Sequence, residues 1–184
     1  SGDNGLMFGF KTPGAEMQYP RTPPGSLKLG QWQHVAATYD GKQAVLYING
    51  EKLATHPFVA SSLHYEPDHN LTIGIYQDND ERYPFLGLIA EVRIWNTART
   101  QEELQRTMKQ RLTGTEPGLV GYWPLEEGGV TPDKSDKKSQ GLIQGGYWEP
   151  NPVPLSTVSS APAKAPSPAP SKASWTALQG NYLN

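Results

Sequence analysis

Residues 32–55 read WQHVAATYDGKQAVLYINGEKLAT, and their alternation decides the fold. In an extended chain Trp32, His34, Ala36 and Thr38 share one face, while Val35, Ala37 and Tyr39 share the other. The pattern breaks at Asp40-Gly41 and again at Asn49-Gly50. Both dipeptides favour type I′ turns, whose positive φ angles match the twist of the strands they join. The spacing predicts an antiparallel meander over 32–39, 43–48 and 52–55.

Upstream, LMFGF (6–10) and AEMQY (15–19) face each other across a Thr12-Pro13-Gly14 turn and read as a strand pair. The run RTPPGSLKLGQ between them and the meander reads as a loop, because tandem proline removes ladder donors. Downstream, NLTIGIYQ and FLGLIAEVRIWN read as strands, with Gly87 as a bulge or close approach. One helix follows: Thr100 and Glu103 form a capping-box pair, and Leu104, Met108 and Leu112 make a stripe that Gly114 ends. GLVGYWPL and GLIQGGYW are two more strands around the charged loop EEGGVTPDKSDKKS. These features predict an all-β, antiparallel two-sheet sandwich with one short helix.

After residue 150 the composition changes. NPVPLSTVSSAPAKAPSPAPSKAS contains six prolines and no aromatic residue, so 151–174 reads as an extended linker. Residues 175–184, WTALQGNYLN, turn aromatic again, and Trp175 and Tyr182 read as anchors that dock on this domain or on a partner.

The 184 residues suffice for one sizeable domain with a tail. A net charge of −2 gives no reason to expect nucleic acid or an anionic membrane as partner. No cysteine is present, which removes disulfides, thiolate metal sites and a Cys nucleophile. No apolar run approaches the roughly 20 residues needed to span a bilayer.

GQWQHVAATYDGKQAVLYINGEKLAT, then LTIG, then FLGLIAEVRIWNTARTQEEL resemble the central and C-terminal motifs of laminin-G-like (concanavalin A-like) jelly rolls. The subgroup is the bacterial three-motif type, related to pentraxins. The resemblance implies a jelly roll, a recognition role and an extracellular or cell-surface setting. Ala90 stands where the family carries aspartate, and the family's leading strands, expected before Leu6, are missing. The opening SGDNGLMFGF, without Met, reads as a processed or cloned fragment. Residues 119–150 and TALQGNYLN resemble the opening of a laminin-G-like repeat. The chain is therefore expected to run into a second repeat, to close on itself as a permuted domain, or to take a strand from another chain.

Some relatives are glycosidases with two carboxylates facing one side of a strand. LIAEVRIW carries one acid, Glu91, and Glu126-Glu127 are adjacent, so the expectation is a non-catalytic module. The four histidines fit no triad or metal pair, and His34 is expected to pack within its strand. Calcium is the cofactor the loop IYQDNDERY would suit, through Gln77, Asp78 and Asp80, because hard cations take clustered oxygens. In pentraxin-like relatives the equivalent loop reads Glu-Gln-Asp; here Tyr76 replaces the glutamate. For a sugar ligand the aromatic platforms are Tyr65, Tyr76, Tyr83 and Trp148, on loops or strand ends, whereas Trp32, Trp95 and Trp123 are expected in the core. Two functions stay open at this point: recognition of a glycan or protein surface, and a structural block in an assembly.

Overall fold

The computed structural model describes residues 3–12, 14, 16–60, 62–64, 71–77, 80–125, 130–139, 141–143, 145–149, 155–157 and 175–183. The protein is mostly β with one short helix. The predicted meander is present as β1 (Gln33–Tyr39), β2 (Gln43–Ile48) and β3 (Glu51–Pro57). β1 pairs with β2 without a register shift, from Val35↔Ile48 to Tyr39↔Ala44. At the second turn both Asn49 and Gly50 have positive φ, 52° and 75°, as a type I′ turn requires. The first turn is built differently. Asp40 is absent from the residues with positive φ, and its Oδ1 accepts the N–H groups of Lys42 and Gln43 at 2.8 Å each. The carboxylate thus closes an Asx-type turn of three residues, and only Gly41 takes the left-handed conformation, at φ 88°.

The remaining strands are β4 (Ile75–Gln77), β5 (Arg82–Pro84), β6 (Leu88–Trp95), β7 (Gln110–Arg111), β8 (Leu119–Trp123), β9 (Val130–Thr131), β10 (Gly141–Leu142), β11 (Ser156–Thr157) and β12 (Trp175–Leu183). The main sheet has the order β3-β2-β1-β12-β6-β8, and each neighbouring pair in it is antiparallel. Two blocks, β3-β2-β1 and β6-β8, are therefore joined by β12 alone. β4-β5 and β9-β10 are antiparallel ribbons, and β11 pairs in parallel with β7.

Every residue of β1 is buried, although alternation by itself would leave one face to solvent. Both faces are covered. On one, Ala36, Val45 and Tyr47 pack on Leu104 of the helix α1 (Gln101–Thr107). On the other, Tyr39 and Ala44 pack on Phe10, with Phe8, Phe58, Ala60 and Leu63 around them. The N-terminal segment supplies that second layer: Met7↔Arg21 and Phe10↔Gln18 are antiparallel bridges, as the facing segments predicted. His56 Nε2 and Gln18 Oε1, 3.1 Å apart, tie β3 to it.

α1 starts as predicted. Thr100 caps the Glu103 N–H at 3.2 Å and the Glu103 carboxylate accepts the Thr100 N–H at 2.9 Å. Arg99 lies 4.3 Å over the Trp95 ring, holding this end of the helix on β6. The helix ends earlier than its apolar stripe implied: Leu112 is buried but lies beyond β7. The reason is Arg93, whose guanidinium donates to the Thr107 carbonyl at 2.9 Å and to the Gln110 carbonyl. Those carbonyls are satisfied from the sheet, so the chain leaves the helix there. Gly114, expected to end the helix, instead sits at φ 95° against the Lys134 carbonyl, where a Cβ would collide. NLTIGIYQ is also shortened, since Gly74 at φ 80° turns the chain before Ile75.

The region read as linker and docking end is partly integrated. Ser156–Thr157 form β11, with the Ser156 N–H donating to the Lys109 carbonyl at 3.0 Å. Residues 175–183 form β12, where Trp175 pairs with Tyr39 and Tyr182 pairs with Gln33 on one side and Ile89 on the other. Residues 151–154 and 158–174 lie outside the described residues. Among the described residues no helix is long and apolar enough to cross a membrane.

Candidate functional site

The ribbon β4-β5 carries the candidate site. Its register sets Ile75 against Pro84, Tyr76 against Tyr83 and Gln77 against Arg82. Directly opposed residues share a ribbon face, and successive pairs alternate between faces. Tyr76 and Tyr83 therefore stand together, ring centroids 6.1 Å apart and planes at 24°. They are 56% and 59% exposed, unusual for two touching aromatics, which ordinarily seek burial. The same alternation directs half-buried Phe85 to the tyrosine face, and exposed Glu81 lies at the turn end of β5. The Phe85 N–H donates to the Gly74 carbonyl at 2.8 Å, extending the ribbon by one pair.

Gln77 and Arg82 take the opposite face, so the expected metal and sugar residues are divided by the ribbon itself. Asp80 is exposed in the turn. Asp78 and Tyr65 lie outside the described residues. Trp148 is half-buried in the run after β10, on another element, next to Tyr147 at 81% exposure. Among the described residues no group of three or more His, Asp or Glu side chains could hold a metal ion. Trp95 and Trp123 are core residues, as expected, and Trp32 is half-buried.

A second polar feature is buried. The Arg93 guanidinium meets Glu91 Oε2 at 2.8 Å, with both side chains 1% exposed. The Tyr122 hydroxyl donates to the same oxygen at 2.9 Å and accepts the Leu112 N–H at 3.3 Å. Burial pushes the Tyr122 hydroxyl well above its ordinary pKa, and the Glu91 carboxylate adds to the rise. Glu91 has φ 60°, a strained backbone for a residue with a side chain, and these bonds hold it there. His34 is also buried. Desolvation first, then the Arg93 charge, lower its pKa to about 3, so it is neutral at physiological pH. Neither His34 ring nitrogen has a hydrogen-bond partner, and Glu91 Oε1 and Arg93 Nε lack one too. Enclosed in this way, the cluster ties β6, β8, β7 and the end of α1 together and offers no surface to a ligand.

The charged loop after β8, read as plain loop, is organised by Asp133. Its Oδ1 accepts the N–H groups of Tyr122 and Ser135 at 2.9 and 2.8 Å, and Oδ2 that of Ser139 at 3.0 Å. Burial acts to raise the Asp133 pKa, but these bonds outweigh it and hold the carboxyl below its usual range. A carboxylate that accepts amide protons on both oxygens locks a loop and is poorly placed to bind a cation. Phe85 and Asp133 were not singled out from the sequence. Phe85 could have been found by carrying the period-2 alternation past Tyr83. Asp133 was legible only in part: the Ser135 amide two residues on is an Asx-turn partner, but the Tyr122 amide comes from β8.

Known proteins bear on this arrangement. Residues 1–105 match the family model described as the concanavalin A-like lectin/glucanases superfamily. Pappalysin-1 of Mus musculus is 30% identical over 109 residues, 59% of this chain, and that of Homo sapiens is 28% identical over 107 residues, 58% of it. The chain spans 7% of the length of each of these relatives. The crystal structure of a candidate carbohydrate-binding protein from Bacteroides ovatus superposes with a TM-score of 0.56 at 26% identity, covering 76% of this chain and 47% of that one. The matched segment includes the meander, the β4-β5 ribbon, β6 and most of α1. By that match, the chain belongs to the concanavalin A-like lectin/glucanases superfamily.

Proposed function

We propose that the protein is a non-catalytic recognition module whose ligand is a glycan, and that the Tyr76–Tyr83 pair is the platform it stacks on. The supporting observation is the exposure of two stacked aromatic rings on one face of the β4-β5 ribbon. A sugar ring offers a face of C–H bonds to such a surface and hydroxyls to neighbouring acceptors, of which exposed Glu81, at the turn end of β5, is one. A sugar held between the rings would need two contacts of 3.5–4.0 Å, about 7–8 Å in all. The centroids are 6.1 Å apart, so the ligand lies across the outside of the pair. Family membership and the likeness to the Bacteroides ovatus protein agree with this reading. In it, the main sheet and the N-terminal segment belong to the two layers of a jelly-roll sandwich, and the setting is extracellular or cell-surface. Calcium, if it takes part, binds at the turn between β4 and β5 through Gln77, Asp78 and Asp80.

The test is a glycan-array screen of the folded chain with calcium and with EDTA, followed by Tyr76→Ala and Tyr83→Ala. Each substitution is expected to weaken binding at least tenfold, by about 1.4 kcal/mol or more, with an unchanged melting temperature. Loss of binding in EDTA that added calcium restores makes the binding calcium-dependent, and Asp78→Ala with Asp80→Ala should then abolish it if the ribbon turn holds the ion. A folded chain that binds nothing on the array in either condition overturns the reading.

A further inference from the structure

The main sheet is continuous only because β12 lies between β1 and β6. Its partners are remote in sequence, and both ladders are irregular. β12 and β1 shift register between Val35 and Ala37, and β12 and β6 shift twice, at Thr176/Gln179 and Gln179/Asn181. The β1-β2 ladder has no shift, and β2-β3 and β6-β8 have one each, between Leu46 and Tyr47 and between Ile94 and Trp95. Each shift leaves backbone groups unpaired, and the ladders of β12 carry three of the five in the described sheet. β12 joins the body of the domain through residues 158–174, which begin at β11 and contain Pro162, Pro166, Pro168 and Pro170. Such a sequence makes a poor ladder strand, because each proline lacks the N–H a ladder needs. At up to about 3.3 Å per residue it is also long enough to carry β12 well beyond its own domain.

From this topology we infer that the β1/β6 slot is a strand-acceptor site, and that a second copy of this chain occupies it by exchange of residues 175–183. The exchanged and unexchanged forms make the same ladder contacts on both sides of the slot. Their balance is then set by concentration, since a tethered strand competes at an effective concentration on the order of millimolar. The chain is monomeric when dilute and becomes a strand-exchanged dimer when crowded or arrayed. This self-association is independent of the glycan platform.

The experiment uses the full chain in two preparations with different N-terminal affinity tags. Mixed equally, unfolded and refolded at about 1 mM, near the tethered effective concentration, they are expected to yield a dimer carrying both tags. Refolded at about 10 μM, a hundredfold lower, they should give at least tenfold less of it. A tenfold excess of the free peptide 175–184 during refolding should suppress the dimer. In parallel, the native chain held without denaturant should slowly take up the same peptide carrying a fluorescent label, which makes the test independent of refolding yield. A chain that stays monomeric at both concentrations and takes up no peptide overturns the inference. So does a dimer that the peptide leaves untouched.

Discussion

Strands β1, β2 and β3 find their partners across turns whose chemistry is written at Asp40-Gly41 and Asn49-Gly50, whereas β12 reaches β1 and β6 from far along the chain. The meander's register follows from turn length; its β1-β2 ladder runs without a shift and its β2-β3 ladder with one, between Leu46 and Tyr47. The register of β12 is shifted against both neighbours. Within one sheet, then, local pairing is specified by backbone chemistry at two turns. Non-local pairing is specified by an open slot and by the buried contacts that hold its two sides in place.

The widest test of that difference is removal of residues 175–184. It leaves the β1 and β6 groups that faced β12 without partners, and each one that stays buried costs about 1–3 kcal/mol. Their sum rivals the roughly 5–15 kcal/mol that holds a whole domain together, so the truncated chain should lose its cooperative melt. A melt unchanged by truncation would mean that β12 contributes nothing to the sheet.

A single substitution can attack the same side of the comparison. Arg93→Met leaves Glu91 buried and charged without its partner and frees the Thr107 and Gln110 carbonyls. Breaking one member of a buried pair costs about 3–5 kcal/mol, measurable by urea denaturation. A loss below 1 kcal/mol would show that the pair is hydrated in solution.

Acid should act through His34. Its folded pKa of about 3 lies below the 6.5 of the unfolded chain, so the unfolded state binds the proton first. The stability it contributes is complete above pH 6.5 and is lost progressively as pH falls from 6.5 towards 3. By pH 4.5 the loss should be about 2–3 kcal/mol. His34→Gln should flatten this part of the profile. An equal slope in both proteins would assign the acid sensitivity to carboxylates instead.

Gly50→Ala probes the local side. A Cβ at φ 75° is strained and would lie 2.6 Å from the Gln105 side chain, which itself donates to the Gly50 carbonyl at 3.0 Å. The expected cost is about 1–2 kcal/mol by chemical denaturation, with β1-β2 pairing intact by hydrogen exchange. The smallest effect belongs to the helix cap: Thr100→Ala should cost about 1 kcal/mol. If either local change unpaired β12 before the meander, the division between the two regions would fail.

Much of the fold was legible from short-range signals. The Asn49-Gly50 turn, the Thr100–Glu103 capping box and the facing segments around Phe10 and Gln18 each draw on neighbours in sequence, so their chemistry can be read off directly. The candidate site was half legible. Tyr76 and Tyr83 stood out as loop aromatics, but not that register would stack them, nor that it would put Gln77 on the other face. Leu112 misled for a related reason, because its helical spacing is real while the helix is ended by Arg93, a residue of the sheet.

By itself the sequence determined the alternating strands, the helix start and the turn at Asn49-Gly50, since these depend on φ preferences and side-chain period within a few residues. Only the tertiary structure decided that β1 is covered on both faces and that Asp133 locks a loop. It also decided that Glu91, Arg93 and Tyr122 share one buried cluster whose charge reaches buried His34, and that residues 175–183 complete the sheet. Each of these is a meeting between groups whose partner is a backbone amide, a carbonyl or an open strand edge. Such groups are the same at every position of the chain, and only folding selects which of them are left to be paired.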